Sequence, residues 1–134
     1  MAERKKILVI EDDKDIADLV KLVLETERFD VETELNPESA YERAKSSRPD
    51  AIMLDLLMPR MDGWAIFKQL RDDHSFDDVP VAILTAKSQQ VDQMVGLHIM
   101  NADAYITKPF GKQELIDKTY ELIGKRKQPA HPRR

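Results

Sequence analysis

Short apolar runs alternate with amphipathic stretches along the whole chain, and the alternation predicts a repeating strand and helix unit. Ile7 to Ile10 is apolar and rich in branched residues, and after Glu11, Asp12 and Asp13 the residues Ile16, Leu19, Val20 and Val23 recur at helical spacing. Val31, Thr33 and Leu35 alternate with Glu32 and Glu34, as a strand with one wet face does, and Asn36-Pro37-Glu38 opens a helix carrying Ala40, Tyr41 and Ala44. Ala51 to Leu54 is a third strand. A loop from Asp55 to Gly63 leads to a helix marked by Trp64, Phe67 and Leu70, and Val81 to Leu84 follows as strand. Ser88 is placed to cap a fourth helix with Val91, Met94 and Val95 inward, ending near Asn101. Ala104 to Thr107 is the fifth strand, and Leu115, Ile116, Thr119, Leu122 and Ile123 line the last helix.

Five strands alternating with five helices specify an α/β fold: a doubly wound parallel sheet covered on both faces. The strands starting at Ile7, Ala51 and Val81 are apolar throughout and belong in the centre; the alternating strand at Val31 and the more polar one at Ala104 suit the edges. Numbered along the chain, the order 2-1-3-4-5 satisfies both conditions. The chain then reverses direction between strands 1 and 3, and a crevice opens at their carboxyl ends, where ligands bind in such sheets.

Composition narrows the classes of function. At 134 residues the chain has the length of one domain, and 42% apolar with 34% charged residues is ordinary for a globular chain. A net charge of −4 argues against a dedicated nucleic-acid surface, and no direct nucleic-acid partner is expected. The absence of cysteine excludes disulfides, thiolate zinc sites and thiol nucleophiles. The four apolar residues after Lys6 are too few for a signal core or a membrane span, so a cytoplasmic protein with no membrane partner is expected.

The candidate chemistry lies at strand ends. Glu11 and Asp12 follow the first strand, Asp55 ends the third, Thr85 the fourth and Lys108 the fifth, so all five gather on one rim. Taken singly, Glu11-Asp12-Asp13 reads as a helix cap supplied by Asp13 or Asp15, and Asp55 as a turn residue before Pro59. Together they read differently. Three converging carboxylates repel one another and call for a hard divalent cation with oxygen ligands, which suits Mg²⁺. Lys108 and the Thr85 hydroxyl are then placed to hold phosphoryl oxygens during transfer. Asp62-Gly63 reads as turn chemistry, with glycine supplying backbone freedom to enter the next helix. His74, His98 and His131 stand singly, and the methionines read as packing.

Four segments resemble the signatures of bacterial response-regulator receiver domains: Ile7-Leu8-Val9-Ile10-Glu11-Asp12-Asp13, Leu54-Asp55 through Met58-Pro59 to Asp62-Gly63, Ile83-Leu84-Thr85-Ala86, and Tyr105-Ile106-Thr107-Lys108-Pro109-Phe110. The resemblance implies a CheY-like domain over residues 1–125, with 126–134 a basic tail or the start of a linker. It implies that Asp55 accepts a phosphoryl group from a sensor histidine kinase or a histidine phosphotransfer protein. By the same likeness Glu11, Asp12, Asp55 and the backbone carbonyl of Leu57 hold Mg²⁺, Thr85 and Lys108 bind the phosphoryl group, and Thr85 with Tyr105 forms the switch. The Lys108 to Pro109 bond is expected to be cis. The output would pass to a downstream effector protein or to an output domain missing from these residues, from a monomer or weak dimer whose chemistry is limited to its own modification.

The sequence departs from that pattern at Leu57 and Lys87, which sit where the family lines the path of the water attacking the phosphoryl group. Leu57 cannot orient that water through a hydrogen bond, so slow loss of phosphate is expected. Asn101 stands where most members have glycine, and Ala104 replaces a common acid. Two rivals remain. A Mg²⁺-dependent phosphohydrolase would share the nucleophile, but such enzymes usually carry a second acid where Leu57 stands. A pseudo-receiver would lack part of the set Glu11, Asp12, Asp55, Thr85 and Lys108.

Overall fold

The computed structural model describes residues 4–58, 61–86 and 102–124. Five parallel strands, β1 (Lys6–Ile10), β2 (Asp30–Glu34), β3 (Ala51–Asp55), β4 (Val81–Ala86) and β5 (Ala104–Lys108), form one sheet in the order β2-β1-β3-β4-β5. The apolar strands β1, β3 and β4 occupy its centre, as their composition requires. Helices α1 (Lys14–Glu25), α2 (Ala40–Ser47), α3 (Gly63–Asp72) and α4 (Lys112–Gly124) cover the sheet. The helix expected to start at Ser88 and end near Asn101 lies outside the described residues.

The period-two alternation of each strand divides the core into two layers. From β1, Ile7 and Val9 point to one face, where they meet Val20 and Leu24 of α1 and Leu115 and Leu122 of α4. Leu8 and Ile10 point to the other, against Ala40 and Ala44 of α2 and Ile66, Phe67 and Leu70 of α3. Met53 and Ile52 of β3 divide in the same way. With both faces covered, every residue from Ile7 to Ile10 is fully buried.

Local chemistry sets the helix ends. The Asp13 side chain accepts hydrogen bonds from the amides of Asp15 and Ile16 at 3.0 and 3.3 Å, so Asp13, not Asp15, caps α1, an arrangement worth about 1 kcal/mol. The start of α2 is displaced from the expected one. Asn36 accepts from the Glu38 amide and Pro37–Ser39 form a 3₁₀ turn, so the α-helix proper begins at Ala40. At its other end α2 is capped by Arg48, whose φ of 53° is left-handed. Leu19 departs from expectation too: it lies on the outer side of α1, about half exposed, because the stripe facing the sheet is Ala17, Val20, Val23 and Leu24. No helix among the described residues is long and apolar enough to cross a membrane.

Candidate functional site

The groups at the carboxyl rim are delivered by the ends of several strands, with Glu11 and Asp12 both following β1. Glu11 follows β1 and is held by the edge of the sheet, its amide donating to the Glu34 carbonyl at 3.1 Å. The Glu11 side chain is completely buried. Its Oε2 accepts from the Asp13 amide at 3.2 Å, and its Oε1 accepts from Lys108 Nζ at 2.7 Å. Asp55 closes β3 and is 3% exposed, with Lys108 Nζ 3.3 Å from its Oδ2. Carboxylate oxygens of Glu11, Asp12 and Asp55 lie within 4.8 Å of one another.

Burial is the main cause that pushes the Glu11 carboxyl up to about 7; the hydrogen bond from Lys108 opposes the rise, and the neighbouring Asp55 adds to it. For Lys108, burial alone would lower the ammonium pKa. The hydrogen bond to Glu11 and the charges of both carboxylates outweigh it, and the net shift is upward. The ammonium therefore keeps its proton, while burial makes the Glu11 carboxyl resist ionisation.

This donor set fits a hard divalent cation. Fully ionised, the three clustered carboxylates would carry two more negative charges than the Lys108 ammonium offsets, and the clustered donors are all oxygen. The backbone of Leu57 stands two residues beyond Asp55, where it pairs with Asp62 in a two-residue antiparallel ladder formed by Leu57–Met58 and Met61–Asp62.

The remaining site residues occupy the same end of the sheet at different depths. Thr85 pairs with Thr107 near the end of β4, one step before the pair between Ala86 and Lys108. Tyr105 pairs with Ile83 further down the strand, is half-buried, and packs against the core layer that contains α2 and α3. Glu11, Asp12, Asp55 and Lys108 thus meet directly, whereas Tyr105 sits below them on the edge strand. The Lys108–Pro109 peptide is cis, as expected. Lys87 lies outside the described residues.

Gly63, the first residue of α3, has a role other than the one assigned from its Asp-Gly context. Its φ is not positive, so no left-handed turn demands glycine there. Instead the backbone after Asp55 passes so close that a Cβ at position 63 would stand 2.5 Å from Leu56 Cα, 2.7 Å from the Asp55 carbonyl oxygen and 2.8 Å from that of Leu56. An Asp-Gly pair signals a turn in any sequence, and the approach of two segments eight positions apart leaves no local pattern.

Comparison with known proteins agrees with the geometry. The family model of the response regulator receiver domain matches residues 7–120. The chain is 38% identical over 128 residues to the alkaline phosphatase synthesis transcriptional regulatory protein PhoP of Bacillus subtilis, covering 96% of this chain and 52% of that protein. It spans about half the length of the curated relatives it matches. The receiver domain of the Francisella response regulator 1452 superposes with a TM-score of 0.80 at 32% identity, covering 90% of this chain and 98% of that one. The Vibrio cholerae chemotaxis protein CheY4 gives 0.82 at 25% identity, covering 90% and 99%. On the match across residues 7–120, the sheet order and the gathered carboxylates, the chain belongs to the response regulator receiver domain family of two-component signalling.

Proposed function

We propose that this receiver accepts a phosphoryl group on Asp55 and uses the modification to change its affinity for a partner. The observation that carries the reading is the convergence of Glu11, Asp12, Asp55 and Lys108, from three separate strand ends, into one half-enclosed cluster of opposed charges. Glu11, Asp12, Asp55 and the Leu57 carbonyl are the groups that would hold Mg²⁺, which when bound supplies positive charge to the phosphoryl oxygens.

An Asp55 carboxylate oxygen attacks the phosphorus of the donor, a phosphohistidine in a sensor kinase or phosphotransfer protein. The new bond is P–O, the bond broken is P–N, and the imidazole leaves with the electron pair. Lys108 Nζ, already 3.3 Å from Asp55 Oδ2, follows the negative charge onto the transferred group. Thr85, one pair away at the end of β4, contributes a hydroxyl, and its engagement biases Tyr105 between two arrangements that a partner distinguishes. The chemistry is confined to the protein's own modification.

The receiver unit spans residues 1–125, and 126–134 is a basic tail or the start of a linker. Its setting is the cytoplasm, as a monomer or weak dimer. The curated relatives are about twice as long as the stretch they share with this chain, and PhoP is by its name a transcriptional regulator, so the output passes either to a separate effector or to a further domain.

The reading is tested by incubating the protein with acetyl phosphate and Mg²⁺ and following intact mass. One added phosphate, slowly lost, supports a switch. Continuous turnover of small phosphate esters would instead identify a phosphohydrolase, and no adduct would identify a pure interaction domain.

A further inference from the structure

We infer that Gly63 is a positioning residue for Asp55: the absence of a side chain there lets the first turn of α3 press directly on the backbone that carries the acceptor carboxylate. The inference rests on the phosphoacceptor reading of Asp55 and adds to it the element that sets where the carboxylate stands.

The segment Asp55–Leu56 is gripped from two sides. On the sheet side the Leu56 amide donates to the Leu84 carbonyl at 3.3 Å; on the helix side the Gly63 amide donates to the Leu56 carbonyl at 3.2 Å. The helix side is the tighter one. A Cβ at position 63 would lie 2.5 Å from Leu56 Cα and under 3 Å from the carbonyl oxygens of Asp55 and Leu56. Ordinary carbon contacts stand at about 3.5–4.0 Å, so any side chain would force a displacement on the order of 1 Å. All three clashing atoms belong to backbone, and no rotamer change relieves them.

Neither partner in this contact is free to retreat. Asp55 and Leu56 are 3% and 4% exposed, and α3 is seated by Ile66, Phe67 and Leu70, each fully buried. The displacement is therefore passed to the start of the loop that bears both the Asp55 carboxylate and the Leu57 carbonyl. A shift of about 1 Å in a reacting group commonly costs on the order of 100-fold in rate, and disturbing the support of a metal ligand about 10–100-fold in affinity.

The test compares Gly63→Ala with Gln69→Gly, which weakens the same helix at an exposed position away from Asp55. Mg²⁺ alone is titrated against the Leu56 amide shift by NMR, acetyl phosphate is used for the rate of adduct formation, and thermal midpoints are recorded for both variants. Gly63→Ala should lose about tenfold or more in Mg²⁺ affinity and in adduct rate, while Gln69→Gly, whose thermal midpoint also falls, stays within about twofold of the parent. Equal effects of the two variants, or a Gly63→Ala protein that binds Mg²⁺ like the parent, would overturn the inference. Should Gly63→Ala not fold, Ile66→Val and Ile116→Val remove one methylene from α3 and from α4 respectively. Mg²⁺ affinity should then fall several-fold in the first alone, and parity between them would overturn the inference. If the parent forms no adduct on Asp55, the phosphoacceptor reading fails; Mg²⁺ affinity still decides whether Gly63 positions the site.

Discussion

Lys108 Nζ lies closer to Glu11 than to Asp55, 2.7 Å against 3.3 Å, so the ammonium is shared between two buried acids and leans toward the one that is not the proposed acceptor. Removing the ammonium leaves those carboxylates facing each other with no cation. Lys108→Ala should destabilise the metal-free protein by about 2 kcal/mol, and part of that loss should return when Mg²⁺ takes over the balancing charge. Urea unfolding in a chelator and in excess Mg²⁺ reads both numbers. A loss of the same size in the two conditions would show that Lys108 acts through packing alone.

A second polar junction ties α3 to the far edge of the sheet. Asp103 Oδ2 accepts from Arg71 Nη2 at 2.7 Å and from the Val81 amide at 2.8 Å, while Arg71 also donates to the Val79 carbonyl. Losing the acceptor strands the Val81 amide and takes from the guanidinium its charged partner, leaving it the Val79 carbonyl. Asp103→Ala should therefore cost about 2 kcal/mol and Arg71→Ala about 1 kcal/mol, with the double variant less destabilised than their sum. Denaturant midpoints for the three proteins check the order.

Much of this arrangement is legible in the sequence because it follows from polarity alone. The unbroken apolar runs at Ile7, Ala51 and Val81 require burial on both faces, and that requirement orders the strands and brings Glu11, Asp12, Asp55 and Lys108 to one rim. What was not legible depends on distances between segments. Helical spacing admits Leu19 to the inner stripe of α1, yet the buried stripe is Ala17, Val20, Val23 and Leu24, and Leu19 is about half exposed. Glycine at position 63 suits a turn, yet its reason is the Leu56 backbone 2.5 Å from where a Cβ would stand. The preference of Lys108 for Glu11 is set by fractions of an ångström that no spacing encodes.

Tyr41 and Asp73 offer a pH-dependent readout away from the site. The Tyr41 hydroxyl donates to Asp73 Oδ2 at 2.6 Å, and this bond, followed by those from the Ser75 amide and hydroxyl, holds the Asp73 carboxyl down to about 2 from an ordinary 3.8. A depressed carboxyl stabilises the fold fully above its unfolded value, and that contribution is lost as pH falls from about 3.8 toward 2. In Tyr41→Phe the Asp73 titration should move upward and the acid-unfolding midpoint should rise with it. An NMR titration of the Asp73 carboxyl that matches the parent would contradict the assignment.

Leu57 is expected to prolong the modified state. It stands two residues beyond Asp55, where receivers line the approach of the attacking water, and a hydrocarbon side chain donates and accepts nothing. Leu57→Asn should shorten the lifetime of the adduct by about tenfold, since a positioned polar group can orient that water. Decay no faster than in the parent, followed by intact mass after removing acetyl phosphate, would locate the control of lifetime elsewhere.

The central claim is that Asp55, and no other acid, carries the phosphoryl group. Borohydride reduces an aspartyl phosphate to homoserine, which marks the residue permanently for peptide mass spectrometry. After treatment with acetyl phosphate and Mg²⁺, homoserine should be found at position 55 in the parent and at no position in Asp55→Asn. Homoserine at Asp12 or another acid in the parent, or none anywhere despite a phosphate adduct, would contradict the account.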